Sequence, residues 1–381
     1  MKRYRIFAMI LVLAMVFSLT ACNKGAPATS PASSEPSSPA SSEPSQAQTS
    51  SDGETYTLVY SYFAQDFIGP SMFIKDAAAR IEERSNGRLK LELNFNGTLL
   101  SFSDTVTGCI NGVADIVTFD QGAIAEVFPL SNVFSMPYLE TPPDKRTMDA
   151  VYNRFIAETP ELNDELAKQG LMYLGVAAIG GYHLHGTTEL FDSQAKLPGK
   201  TIDGLGEGGN IITSMGGNGV AMDPGDWYLS LSTGLLDGML AHFAMMTGFA
   251  LSELLTTHVI FSNNQDLDDY YALFGGGIYS PMMGNVMNIA SYEALPPDLQ
   301  EILIDEMSKF AQFVTDMDIP DMVTPAVNVC VERGDTFVFV GDAEREAWLP
   351  GMQEFIDKWS GQVSALGYDG KALYQKLLDM F

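Results

Sequence analysis

Residues Gly199–Asn210, GKTIDGLGEGGN, place Gly204, Gly206 and Gly209 at the G-x-G-x-x-G spacing that lets a backbone approach a dinucleotide pyrophosphate. Asp223 follows at roughly the 20-residue distance of a ribose-binding acid. Such a site needs a buried apolar strand ahead of the glycines, whereas GKTID is polar and the segment beyond soon meets GGNG. The pattern reads instead as a flexible loop after a cleft-lining strand. His183 and His185 in HLH would set two imidazoles on one side of a strand, as a metal site requires. With four histidines in the chain and no cysteine nearby, no metal is expected there. Asn263–Asp269, NNQDLDD, carries oxygen ligands but lacks the glycine and terminal glutamate of a calcium loop, so it reads as a solvated turn. The chain has no G-x-S-x-G, H-E-x-x-H, C-x-x-C or Walker sequence. Paired carboxylates for glycoside hydrolysis stay open, because pairing in space is not written in sequence. The expectation is a protein without catalytic residues, cofactor or metal.

The elements that must position any site follow from periodicity. Tyr56–Tyr62 and Arg88–Phe95 read as strands; in the second, Leu89, Leu91, Leu93 and Phe95 alternate with Lys90, Glu92 and Asn94. Between them Ser71–Ser85 reads as a helix with Ile74, Ala78 and Ile81 on one face, ended by SNGR. A helix over Ser103–Asn111 leads into the strand GVADIVTF, which is βαβ order and predicts parallel sheets with helices on both faces. A second set follows: LMYLGVAAI, GKTID, a short helix over Asn210–Met215, GVAMD, and a helix over Trp227–Leu235. Leu299, Leu303, Met307, Phe310 and Val314 mark a long helix starting at Asp298.

The ends say where the chain works. Lys2, Arg3 and Arg5 precede an apolar run from Ile6 to Leu19 and then LTAC, the pattern of an export leader. Residues 23–54 are Ser, Pro and Ala with almost nothing to bury, and repeat SPASSEPS; such a segment cannot offset its ordering entropy and forms a tether. Export also argues against a nicotinamide site, since reduced cofactor is not maintained outside the membrane. The formal charge is −27, and loss of the three leader bases leaves −30. Nucleic acid and anionic headgroups are poor partners for that surface. Cys109 and Cys330 would be the remaining thiols, free or paired.

LTAC resembles the bacterial lipobox, in which Cys22 receives lipid and becomes the first mature residue. SNGRLKLELNFNGTLL, GCINGVADIV, FPLSNVFSMPYL, LPGKTIDG, DWYLSLSTGLLDGMLA and YEALPPDLQEIL, in this order, resemble the landmarks of TRAP-type solute-binding proteins, the DctP-like family. The resemblance implies an α/β, two-lobed, periplasmic-binding-protein-like fold with a long helix spanning both lobes. It divides the chain into a leader (1–21), a tether (22–54), lobe I (55–179 plus about 268–306) and lobe II (about 180–267 plus 307–381). It further implies a monomeric receptor on the extracytoplasmic face of the cell membrane, anchored through Cys22. There it would capture a small organic solute and deliver it to TRAP permease subunits. A ligand-sensing lipoprotein feeding a signalling receptor and an extracellular hydrolase are the alternatives.

The departures from the family pattern concern the ligand. Asp203 stands where the family has an arginine that pairs with a ligand carboxylate, and no arginine occurs between Arg154 and Arg333. Lys196 and Lys200 are the lysines between Gly175 and Ser308. The ligand is therefore expected not to be a simple carboxylate held by arginine; an acceptor such as Asp203 suits hydroxyls, amides or an ammonium. The residues expected to line the cleft are Tyr62, Phe67, Phe119, Gln121, Tyr182, His183, Asp203, His242 and Phe243.

Overall fold

The computed structural model describes residues 53–381 except 124, 142 and 143. The leader, Cys22 and the tether as far as residue 52 lie outside the described residues.

Among the described residues eleven strands form two sheets. The first contains β1 (Tyr56–Ser61), β2 (Leu89–Asn94), β3 (Ile116–Asp120), β4 (Leu171–Ala178) and β10 (Met282–Asn288), in the order β2-β1-β3-β10-β4. The second contains β5 (His183–Gly186), β6 (Thr201–Gly204), β7 (Asn218–Val220), β8 (Gly238–Ala241), β9 (Thr257–Ile260) and β11 (Thr336–Phe339), in the order β11-β9-β5-β8-β6-β7. Position in the sheet explains the sequence patterns. The alternating β2 is an edge strand, while β3 lies inside and is buried along its whole length.

The expectation of parallel sheets fails at two strands. β10 pairs antiparallel with both β3 and β4, and β5 pairs antiparallel with both β8 and β9. Both follow a passage of the chain from one sheet to the other, after β4 and after β9. A strand entering from the neighbouring sheet is not bound by the βαβ crossover that keeps its neighbours parallel.

Local signals set the helix ends. The first helix spans Gly69–Arg84 and stops where Asn86 and Gly87 take left-handed backbone angles (φ 53° and 77°). The long helix expected from Asp298 is a chain of three, Pro297–Met307, Phe310–Asp318 and Thr324–Arg333, joined by a short break at Ser308–Lys309 and a wide helical turn over Ile319–Val323. Pro320 lies in that wide turn and Pro325 at the start of the third helix; each lacks a backbone donor, so a regular ladder cannot run through them. The first of these helices is tied to helix Gly69–Arg84 by Arg80 and Arg84, which pair with the buried Glu306.

Lys145, fully buried, donates to both oxygens of Asp149 (2.7 and 2.8 Å) and to Thr315 (2.7 Å). Asp149 also accepts from the backbone N–H of Ala178 at the end of β4. This network fixes helix Lys145–Ala157 against helix Phe310–Asp318 where the chain leaves the first sheet. Cys109 and Cys330 are free buried thiols.

Candidate ligand-binding site

The loops leaving β1, β3, β6 and β8 meet between the two sheets around a cavity of about 80 Å³. A wider groove of about 610 Å³ opens beside it, and Phe63, Ala64, Pro224, Gly248 and Phe249 face both. Ligand sites at strand ends and lobe interfaces are what α/β architecture favours.

Each sheet supplies part of the wall. Tyr62 and Asp120 come from the ends of β1 and β3, and Ile179 and Tyr182 from the passage between β4 and β5. Leu205 follows β6, His242 follows β8, Trp227 opens helix Trp227–Ser232, and Asp318 closes helix Phe310–Asp318. Aromatic rings build one another's support: Tyr182 stacks at 4.7 Å from Tyr279 and 5.2 Å from His242, and Trp227 packs edge-on against Phe249 at 4.9 Å.

The polar groups are unusual for so dry a place. Asp120 Oδ1 accepts from the Gly122 N–H at 2.8 Å, yet burial pushes its carboxyl up to about 7. Burial also pushes Asp318 up to about 7, against the pull of the Lys145 ammonium. Asp203 is raised by burial to about 7 although the Met222 N–H donates to its Oδ2 at 2.7 Å. Burial drives His242 down to about 3, so its imidazole is neutral. Tyr182 Oη and His242 Nδ1 make no hydrogen bond to the described residues. Buried polar atoms left in this way are costly, so their number here marks a place built for something other than packing.

No arginine or lysine lines the cavity among the described residues. Lys145 and Arg345 are the fully buried ones, and both are engaged elsewhere; Arg345 donates to the carbonyls of Tyr138 and Gly277. Lys200 pairs with Glu189 and Asp237.

The nine expected cleft residues separate into groups. Tyr62, Tyr182 and His242 line the cavity. Asp203 stands behind the wall, beside the Trp227 indole. Gln121 is buried next to Asp120 with both amide atoms unpartnered, but is not on the wall. Four are corrected. Phe67 is 54% exposed, because Ile68, the next residue, takes the inward place ahead of helix Gly69–Arg84. Phe119 alternates to the other face of β3 from Asp120 and packs on Tyr173. His183 accepts from the Phe261 N–H through Nδ1 and bonds the Leu273 carbonyl through Nε2, which fixes its tautomer as a core residue. Phe243 is held among His183, His185 and His258.

Sequence reasoning missed Asp120 and Asp318 on the cavity wall. Asp120 carried a signal, an acid ending a strand that is otherwise apolar but for Thr118; Asp318 carried none, because it comes from a helix far along the chain. It also missed His258, Cys330 and Asp335, whose donor atoms lie within 4.8 Å of one another. Asp335 there accepts from Arg333 and His258, and His258 bonds His185 through Nδ1 at 2.8 Å.

The G-x-G-x-x-G glycines serve packing. A Cβ on Gly204 would lie 2.4 Å from the Gly208 backbone, and one on Gly209 would lie 2.8 Å from the Val220 carbonyl. Both let helix Glu207–Ser214 lie close on β6 and β7. Gly206 has φ 59° and meets Gly122 from the other sheet. Glu207 fills the first turn of the helix and accepts from Asn132 at 2.8 Å, which places negative charge where a phosphate would have to sit.

The family model for bacterial extracellular solute-binding protein, family 7 (DctP), matches residues 71–362. A solute-binding protein of Chromohalobacter salexigens is 27% identical over 169 residues, 43% of this chain and 48% of that protein. An uncharacterized protein of Salmonella typhimurium is 26% identical over 175 residues, 43% of this chain and 51% of that protein. The matched stretch thus spans about half the length of these curated relatives. Among solved structures, a TRAP periplasmic solute-binding protein from C. salexigens with bound D-glucuronate superposes with a TM-score of 0.71 at 18% identity, covering 85% of this chain and 100% of that one. A TRAP solute-binding protein from Rhodoferax ferrireducens with copurified benzoate gives 0.72 at 20% identity, covering 86% and 97%. Their likeness establishes the two-sheet fold. With the family model matched over most of its length, this chain belongs to family 7 of the bacterial extracellular solute-binding proteins, the DctP family.

Proposed function

We propose that this protein is the extracytoplasmic receptor of a TRAP-type uptake transporter. It captures a small organic solute between lobe I (55–179 and about 268–306) and lobe II (about 180–267 and 307–381), and presents it to a membrane permease. Cys22 carries the lipid that anchors it, and the Ser/Pro-rich tether gives it reach. Capture is a population shift: solute contacts made with both lobes favour the closed arrangement over the open one.

The observation that carries this is the cavity itself. Its wall draws on the ends of strands from both sheets and holds Tyr182 Oη and His242 Nδ1 without partners among the described residues. The solved relatives named above hold glucuronate and benzoate. A buried carboxylate needs a charge-assisted donor, and here the wall offers acids instead of arginine. The solute is therefore not a simple carboxylate held by arginine, and the protein turns nothing over. A thermal-shift screen of the purified full chain against organic acids, amines, sugars and aromatics tests the role. Saturable stabilisation by one class without conversion is expected; conversion of the bound compound, or stabilisation by none of the four classes, contradicts it.

A further inference from the structure

Resting on that receptor role, we infer that the solute is a small organic cation, an ammonium or related head group on an apolar or aromatic body. Asp120 and Asp318 receive the head, and Tyr62, Tyr182, Trp227 and Phe249 enclose it.

Three independent features converge on this class. The first is charge: Asp120 at the end of β3 and Asp318 at the end of helix Phe310–Asp318 both line the cavity, and no lysine or arginine lines it among the described residues. A carboxylate facing so dry a space has lost its hydration, and a cation beside it replaces what is lost. The second is the rings. Tyrosine, tryptophan and phenylalanine faces attract a cation through their quadrupoles, most strongly where water is excluded. The third is the polar atoms left open. Tyr182 is fully buried and His242 is 8% exposed; both line the cavity, and Oη and Nδ1 have no partner among the described residues. The neutral His242 ring and the Tyr182 hydroxyl can each accept a proton-bearing group. The rest of the wall, including Ile68, Ile179, Leu205, Met245, Met283 and Met322, suits a hydrocarbon body.

The acids also predict a pH signature with a definite sign. Burial holds Asp120 and Asp318 near 7, so near neutral pH each carries a proton part of the time. The groups around them are Tyr62, Tyr182 and Tyr279 beside Asp120, and Lys145, Asp149 and Asp321 beside Asp318. The tyrosines are all raised further from ionisation by burial, so the two acids on the wall, with Asp203 behind it, are the groups that titrate between pH 6 and 8. A cation binds their ionised forms, expels protons, and binds tighter as pH rises; an anion does the reverse.

The test uses the purified full chain and three probes with one body and different heads: benzylamine, benzyl alcohol and benzoate. Isothermal titration at pH 6, 7 and 8, in two buffers of different ionisation enthalpy, reads affinity and protons released. The inference predicts that benzylamine binds at least tenfold tighter than the other two at pH 8. It also predicts at least a tenfold gain from pH 6 to 8, with net proton release. Asp318→Asn lowers benzylamine affinity at least tenfold, and Tyr182→Phe weakens it by less. The pH series on the unaltered protein stands even if Asp120→Asn or Asp318→Asn fails to fold. Tighter binding of benzoate or benzyl alcohol, proton uptake, or binding of none of the three overturns the cation assignment. The receptor role falls separately, if whatever solute binds is indifferent to both Tyr182→Ala and Trp227→Ala.

Discussion

Gly122 and Gly206, one from the loop after β3 and the other from the loop after β6, meet backbone to backbone across the cleft. A Cβ on Gly206 would lie 2.2 Å from the Gly122 Cα, and a Cβ on Gly122 would lie 2.7 Å from the Gly206 Cα. Asn132 and Glu207 add a hydrogen bond alongside, and Tyr279 Oη reaches the Leu205 carbonyl at 3.4 Å. No side chain can be inserted at the glycine contact unless the two sheets separate.

Gly122→Val therefore holds the lobes apart while leaving each sheet intact. Solute affinity is expected to fall about tenfold or more, the cost of a closed state disfavoured by about 1.4 kcal/mol. The melting temperature without solute should stay within a few degrees. Titration and small-angle scattering read the two effects; unchanged affinity would show that the contact is not part of closure.

The sequence resemblance sets Asp203 at the place of an arginine in the family; its Oδ2 is turned to the Met222 N–H and the residue is fully buried. Asp203→Arg is expected to destabilise by about 3–5 kcal/mol, by burying a charge without a partner and stranding the Met222 donor. Chemical denaturation measures it. A stable Asp203→Arg protein with new affinity for small carboxylates would put the side chain in the cleft after all.

The buried acids and histidines give opposite pH signatures. Asp120, Asp203 and Asp318 have folded values near 7, above their ordinary 3.8, so their contribution is full below about pH 3.8 and is lost as pH rises through 7. His183 and His242, lowered to about 4 and about 3 from 6.5, contribute fully above pH 6.5 and lose it as pH falls. Asp318→Asn is therefore expected to stabilise the solute-free protein by about 1–3 kcal/mol at pH 8 and by little at pH 4. Denaturant midpoints at both pH values check this; an equal effect at both would mean that Asp318 titrates normally.

Lys145→Met leaves Asp149 buried without its ammonium while Thr315 and the Ala178 N–H still donate to it. A loss of about 3–5 kcal/mol is expected, and replacing the pair together, Lys145→Met with Asp149→Leu, should recover part of it. A double-mutant cycle in urea supplies the number.

Much of the scaffold was legible because it obeys local rules. The Leu89–Phe95 alternation produced an edge strand, and SNGR stopped a helix through Asn86 and Gly87. Strand direction was not legible: β5, β10 and β11 all enter from the other sheet, yet β5 and β10 pair antiparallel and β11 parallel, a non-local outcome. Tyr62, Tyr182 and His242, expected from the positions the family resemblance marks, lie on the cavity wall. Phe67, Phe119, His183 and Phe243 share that expectation, and one step of strand or turn geometry sends them elsewhere. Asp318 was invisible: an acid ending a helix reads as surface until the packing of helix Gly69–Arg84 buries it. Lys145 and Asp149 likewise have the spacing of a surface pair, and only the fold makes them a buried one.

The most direct test of the account is native mass spectrometry of the protein purified from its own cells, followed by identification of the released compound. A bound small molecule carrying a basic nitrogen is predicted, present in the unaltered protein and lost from Tyr182→Ala and Gly122→Val. A released carboxylic acid without a basic centre, or a compound retained in both variants, would contradict it.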